Sequence, residues 1–514
     1  MTEIEHAEAQ SGGVLEKGLK VGAIGLVSTI VIGVASTAPG FSLAASLGLV
    51  TASAGAQAPA ILWLAFIPML FIAAGYFYLN RADPDCGTSF TWATRTLGPI
   101  PGWLTGWTII IADLVVMPSL AQITGSYFFL LFGADGPAGN KYWTMLVGVI
   151  FILAMTWICV IGIELNAKTQ VGLLTAELVI LLVFAVAALW KVLNGDIPGS
   201  VDPAWSWLNP FDISSTSALS GGLLAALFIY WGWDTAVTVN EETDDAKRTP
   251  GVAALVSTLV LVGVYLIVSI AAQAVQGPGF LTANSDDVLN ATGDIVLGSV
   301  FVKFLIIAVL TSAAASTQTT ILPAARSELS MSVHRALPKW FGHINPKYLT
   351  PTNATWGFGI FSAAFYAVLT FLSDDVLSAS IDSVGLMIAL YYGITGIITP
   401  IYYWRFIFKN PKNFLFVAVA PFTGGAILFW TFYKSTVDSF QIPETTWFGI
   451  ESYWVMGIAL LAVGVPVMIW CWSRDSAFFK RGIDPLDQRP DPDGNGPEPP
   501  PIVEGVDASI TREG

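Results

Sequence analysis

Runs of apolar residues long enough to cross a bilayer core, roughly 20 residues each, recur along the whole chain with short polar intervals between them. Twelve spans are expected, at about 22–50, 58–80, 99–132, 142–164, 169–192, 217–240, 251–275, 297–325, 353–373, 379–403, 413–433 and 453–472. An even number returns both termini to one side. Basic residues decide which side, because Lys- and Arg-rich loops stay in the cytoplasm. With the N-terminus inside, 19 of the 23 Lys and Arg fall in cytoplasmic segments. The remaining four, Lys141, Lys191, Lys303 and Lys434, lie at the outer interface or beyond it. The pattern predicts a multi-pass protein with both termini cytoplasmic.

Two runs are interrupted. The first, VIGVASTAPGFSLAA, places Ser36, Thr37, Pro39 and Gly40 at mid-membrane depth, where proline lacks a backbone donor and clashes with the preceding turn. The sixth, LFIYWGWDTAV, sets Gly232 among aromatics with Asp234 just beyond. Spans 1 and 6 are five helices apart, so they run in opposite directions, as an inverted repeat of five plus five helices requires. The expected fold is an all-α integral membrane protein with twelve transmembrane helices, discontinuous helices 1 and 6, and two extra C-terminal helices. Its divisions are a cytoplasmic segment 1–20, a core 21–405 (repeat one about 21–194, repeat two about 215–405), helices 11 and 12 within 406–473, and a cytoplasmic tail 474–514. From about Asp484 the tail is rich in Pro, Asp and Gly and should be disordered.

Composition narrows the function. Residues are 54% hydrophobic and 12% charged, about half the charged share usual in soluble proteins. A net charge of −14 argues against nucleic acid as a partner. Cys86, Cys159 and Cys471 are too dispersed for a disulfide framework or a zinc site. His6, His334 and His343 all lie outside the apolar runs, and no G-x-x-x-x-G-K-[ST] loop is present. No metal or cofactor is expected, and no paired nucleophile and base suggests an enzyme. The apolar run after the polar start is too long for a signal-peptide core, so the first span is expected to stay as a helix.

Three stretches carry a family likeness: YLNRADPDCGTSFTWATRTLGPIPGWLTGW between spans 2 and 3, WGWDTAVTVNEETDDAKRTPG at the break in span 6, and Arg326 with, from Ala336 on, ALPKWFGHINPKYLTP after span 8. In order and position they resemble the amino acid, polyamine and organocation superfamily of permeases, which share the leucine-transporter-like fold. The resemblance covers about residues 20–405 and implies a substrate site between the two interrupted helices.

On that resemblance, exposed amides around Ser36, Thr37, Ala38 and Gly40 bind a substrate carboxylate. A half-helix N-terminus offers unpaired N–H groups and a positive dipole end for that purpose. The family's small-residue triplet is here Ser-Thr-Ala followed by Pro39-Gly40, which leaves the donor positions open by one or two residues. Span 6 supplies Phe228, Tyr230, Trp231 and Gly232, whose unwound carbonyls, by resemblance, receive an ammonium while an aromatic covers the site. A proline kink repaired by hydroxyls and plain aromatic packing are the alternative readings of the two breaks.

Asp113, Glu177, Asp234 and Asp382 fall inside spans, with no Lys or Arg in the membrane interior to pair with them. A carboxylate at that depth needs a proton, a cation or a cationic substrate. Asp113 falls where relatives line the side-chain pocket, which suggests a ligand with an extra positive charge. Glu177 falls where some proton-coupled relatives carry a lysine, and Ser312, Ser316 and Thr317 could offer it hydroxyls, so a coupling role is expected. Asp234 is a candidate gate, and Asp382 is expected near the outer interface.

These readings converge on a secondary transporter for amino acids or related amines in the plasma membrane, of bacterial inner-membrane type, working by alternating access with proton coupling. Amino acid/amine exchange and polyamine or cationic amino acid permeation are the alternatives. A non-transporting amino-acid sensor is the rival from another class. The expected partners are the small substrate, a co-transported proton and membrane lipid.

Overall fold

In hydrocarbon every backbone amide and carbonyl must be paired within its own segment, so apolar runs fold as helices. The structure, a computed structural model, describes residues 17–285, 287–372, 376–441, 446–447, 449–483 and 490–493. The helices used below are α1 (Leu26–Ser36), α2 (Pro39–Ala54), α3 (Ala58–Ala82), α4 (Ser89–Leu97), α5 (Pro99–Leu131), α6 (Lys141–Ile161), α7 (Ile163–Leu193), α8 (Thr216–Tyr230) and α9 (Thr235–Thr238). They are followed by α10 (Thr249–Ala283), α11 (Val288–Val333), α12 (Thr352–Leu372), α13 (Val376–Tyr402), α14 (Ala420–Gln441), α15 (Ser452–Arg474) and α16 (Ala477–Arg481). Among the described residues the only sheet is a two-residue hairpin, Thr446–Trp447 against Ile450–Glu451.

Ten helical stretches among the described residues are long and apolar enough to cross a membrane. The first runs from Leu26 to Ala82 and contains α1, α2 and α3, while Thr216–Tyr230 is shorter than a full span. Twelve spans result only when the first stretch is divided at Gly55–Gln57 and α8 is joined with α9 as one interrupted span. Helix α5 lies at the centre, 89% buried over its most apolar stretch against 28% for α15. It packs along α11, α13 and α6, and α2 is enclosed by α8, α10 and α11. Outer helices carry exposed apolar side chains such as Val183, Val186, Ile360 and Phe371. Water would penalise such a belt and lipid tails would not.

The apolar runs understate three elements. Helix α11 continues past the expected end at 325 to Val333, because STQTTILPAARSELSMSV mixes hydroxyls and charges into a helix buried against α5. Helix α10 continues from 275 to Ala283 across a bend at Gly277, φ 79°. Helix α4, within the expected loop between spans 2 and 3, is almost wholly buried. Most of the tail expected to be disordered lies outside the described residues. Residues 490–493 are described, and Asp493 approaches Arg81 at 3.6 Å.

Candidate functional site

Both interruptions are present, and they touch. Helix α1 ends at Ser36, Ala38 adopts a left-handed φ of 46°, and α2 starts with Pro39 in its first turn. Proline suits that position because its missing N–H would have no intrahelical partner there. Helix α8 ends at Tyr230, Trp231 is extended, and Gly232 has φ 117° before α9 begins. Gly232 packs so closely on the Ser36 carbonyl that a Cβ there would stand 2.7 Å from its oxygen. One residue row further, the Ser36 and Thr235 hydroxyls are hydrogen-bonded at 2.8 Å.

The broken backbone is satisfied by side chains. Ser316 Oγ donates to the Ser36 carbonyl at 3.0 Å, and Ser42 Oγ donates to that of Thr37 at 2.6 Å. The Phe41 amide donates to Ser312 Oγ at 3.2 Å. The Gly40 amide donates to Glu177 Oε1 at 2.6 Å. Tyr265, which the sequence reading passed over, ties the two breaks together: its hydroxyl donates to the Ile229 carbonyl at 2.7 Å and lies 3.2 Å from Thr37 Oγ1. Left unpaired in an apolar interior, each such backbone group would cost several kcal/mol.

Of the expected coupling residues, Ser312 and Ser316 therefore hold the break, and Ser312 also lies in hydrogen-bonding reach of Glu177. Thr317 instead bonds back to the Ala313 carbonyl of its own helix. Glu177 is 2% exposed and sits at the head of α2, where the positive end of the helix favours negative charge.

Asp234 opens α9 and accepts from the Tyr391 hydroxyl at 3.0 Å, and Tyr391 in turn accepts from Trp231 Nε1 at 2.5 Å. Phe228 meets Phe41 edge to face at 6.0 Å, and Tyr230 meets Tyr265 the same way at 5.0 Å. Asp113 is buried on α5 with Oδ2 unpartnered, within electrostatic reach of Asp234 and Glu328. Glu328, on α11, is buried and its Oε2 is unpartnered too. The sequence reading missed Glu328 because it falls just beyond the expected end of span 8. Asp382 is half-buried on α13 near Tyr453 and away from this group.

A buried ionic cluster gathers around Lys17 of the N-terminal segment. Lys17 Nζ lies 2.6 Å from Glu241 and 2.8 Å from Asp85, and it reaches Cys86 Sγ at 3.4 Å. Arg326 pairs with Glu242 at 2.5 Å, Arg95 pairs with Asp83 at 2.5 Å, and His334 Nε2 meets Asp85 at 3.3 Å. Burial alone would lower the Lys17 pKa, but Asp85 and Glu241 outweigh it and hold the ammonium well above its ordinary value. Burial would likewise raise Asp85, yet Lys17 and His334 hold it well below the usual carboxylate range. For Glu241 burial wins over Lys17 and the pKa is raised. Asp85, Cys86 and Glu241 converge closely enough to ligate a metal ion, and the Lys17 ammonium takes that place. Ile24 and Thr243 add a parallel backbone bridge, with the Ala23 amide donating to the Glu242 carbonyl at 2.8 Å.

Comparison with known proteins gives a consistent picture. A family model described as amino acid permease matches residues 21–463. An uncharacterized transporter of Mycobacterium tuberculosis is 26% identical over 376 residues, covering 73% of this chain and 78% of the relative. The low-affinity putrescine importer PlaP of Escherichia coli is 22% identical, with 71% and 78% covered, and the branched-chain amino acid permease BcaP of Bacillus subtilis is 24% identical, with 62% and 68% covered. The crystal structure of MhsT in complex with L-phenylalanine superposes with a TM-score of 0.53 at 16% identity, over 79% of this chain and 98% of MhsT. It shares the fold expected from the two broken helices.

Proposed function

The chain belongs to the amino acid permease family, and we propose that this secondary transporter carries an amino acid or a related amine across the plasma membrane, seating it where the two helix breaks meet. The observation that carries this reading is the contact of Gly232 with Ser36. Two interrupted helices in the apolar interior bring unwound backbone together at one point, which is the arrangement that binds a substrate near the middle of a membrane. Alternating access then requires one face to be closed while the other opens. The Lys17, Asp85 and Glu241 cluster supplies the closure on the side that the basic loops assign to the cytoplasm.

Glu177 is the coupling residue in this reading. Its carboxyl joins α7 to the head of α2 through Gly40, so gaining or losing a proton alters how firmly α2 is held. The movement of α2 and the proton are thereby linked. Asp113 favours a second reading within the same class, a substrate with an extra positive charge, because its unpartnered oxygen has other carboxyl groups around it and, among the described residues, no basic one paired with it. The test of the transporter reading is counterflow in proteoliposomes. Labelled amino acid or amine should enter vesicles preloaded with the unlabelled compound; ligand binding without counterflow would favour a sensor instead.

A further inference from the structure

We propose that Glu177 fills, from within the protein, the seat at the head of α2 that a substrate carboxylate would take, so that the ligand is an organic amine with ammonium groups and no α-carboxylate. This rests on the transporter reading and narrows its substrate class.

The first ground is the account of donors. Pro39 has no amide hydrogen, the Gly40 amide goes to Glu177, the Phe41 amide goes to Ser312, and the Ser42 amide returns to the Ala38 carbonyl at 2.8 Å. A substrate carboxylate would have to displace a buried acidic side chain of the same sign from the one place where the helix end stabilises it. The Thr37 and Ala38 amides are also taken, by the Val34 and Ala35 carbonyls. No amide in the first break stands free to receive an acid.

The second ground is independent and concerns the other pole of the ligand. Asp113 Oδ2 and Glu328 Oε2 are unpartnered atoms on side chains more than nine-tenths buried. Asp113 lies within electrostatic reach of Asp234 and Glu328, and Tyr391, bonded to Asp234, lies within reach of Asp113 as well. Thr235, beside Asp234, is bonded to Ser36, so this acidic row begins at the first break. Among the described residues none of the three acids forms an ion pair. Where they ionise, buried carboxyl groups in that number call for more than one positive charge. A diamine brings two and adds no negative charge, whereas a basic amino acid brings the same two together with a carboxylate that has no seat.

The experiment uses the full-length protein in lipid nanodiscs and compares each basic amino acid with its decarboxylated partner by calorimetry: ornithine with putrescine, lysine with cadaverine, arginine with agmatine. Each amine should bind at least tenfold more tightly than its amino acid, and the amino acid methyl esters should follow the amines. In Glu177→Ala, with the seat opened, the gap should shrink to less than threefold. In Glu177→Gln, where an amide oxygen still accepts from Gly40, the preference should persist. An amino acid that binds the parent protein as tightly as its decarboxylated partner overturns the inference, and so does tight binding of leucine that no amine displaces. If amino acids win and counterflow proceeds, this inference alone falls. If neither class binds or shows counterflow, the transporter reading falls with it.

Discussion

The amide of Gly40 donates to the carboxyl of Glu177 at 2.6 Å, across 137 positions of sequence. This bond joins α7 to the start of α2 at the point where the first span is broken. On the coupling proposal it ties the protonation of Glu177 to the position of α2. Replacing Glu177 by Gln keeps an oxygen for Gly40 but removes the titratable proton. Substrate binding should stay within about fivefold of the parent, since hydrogen bonds to neutral and to charged acceptors differ by roughly 1 kcal/mol. Uptake driven by an imposed proton gradient in proteoliposomes should vanish. Unchanged driven uptake would remove Glu177 from the coupling.

Gly232 should tolerate no side chain. Its φ of 117° is a conformation that L residues rarely adopt, and an added Cβ would press on the Ser36 carbonyl. Gly232→Ala should therefore cost about 1–3 kcal/mol of strain or push the breaks apart. Transport should fall at least tenfold, while a control such as Gly263→Ala, whose Cβ would meet open space, should leave it unchanged. Counterflow rates for the two variants, beside their melting temperatures, decide the point.

If Asp113 faces the ligand, it should separate charged from neutral compounds. Asp113→Asn keeps the shape and removes the charge. Affinity for a cationic ligand should drop about tenfold or more, equivalent to roughly 1.4 kcal/mol, and binding of any neutral amino acid should not change. Equal losses for both kinds of ligand in a competition assay would reduce Asp113 to a structural residue.

The closure proposed for the N-terminal face should depend on Lys17. Its side chain is fully buried between Asp85 and Glu241, and removing one partner of a buried pair leaves the other charges uncompensated, at a cost of about 3–5 kcal/mol. Lys17→Ala should lower the melting temperature and favour conformations open on that face, seen as faster labelling of Cys86 by a thiol reagent. Lys17→Arg should restore part of both. Labelling that stays as slow as in the parent would show that the cluster is not the closure.

Acid should weaken the same seal through His334. Burial holds this imidazole below its ordinary pKa of about 6.5, against the pull of Asp85 and with Lys17 and Arg95 adding to the depression. Between the lowered value and 6.5 the unfolded chain binds a proton that the folded chain does not, so stability falls as the pH drops through that window. Asp85 remains charged there, because its own pKa is depressed, and the raised Lys17 stays charged as well. Glu241 acts in the opposite sense between its ordinary 4.5 and its raised value. The difference between parent and His334→Gln melting curves isolates the histidine. The parent should lose more stability than the variant on going from pH 7 to pH 5.5.

Much of the fold was legible because hydrocarbon imposes one rule on every span. Pro39 and Gly232 marked the two breaks correctly, since a residue without a donor and one without a side chain have few uses inside an apolar run. Glu177, Asp113 and Asp234 stood out for the same reason, as charges where charges are costly. Tyr265 did not, because an aromatic in a membrane helix reads as packing until its hydroxyl is seen between Thr37 and Ile229. Glu328 was hidden by the polar composition at the end of α11, which looks like a loop and is a buried helix, and Arg326, read there only as part of a family likeness, gave no sign of its pairing with Glu242. The cluster of Lys17, Asp85, Glu241 and His334 joins four separate parts of the chain that each read as solvated turn. No local pattern announces contacts of that kind.

The most direct measurement is counterflow by the purified protein in proteoliposomes, with labelled putrescine outside and unlabelled putrescine within, comparing parent and Gly232→Ala. Transient accumulation of label with the parent and at least tenfold less with the variant is expected of a carrier whose site lies where the two breaks meet. Saturable putrescine binding with no accumulation would contradict a transporter. Equal accumulation with both proteins would place the site elsewhere.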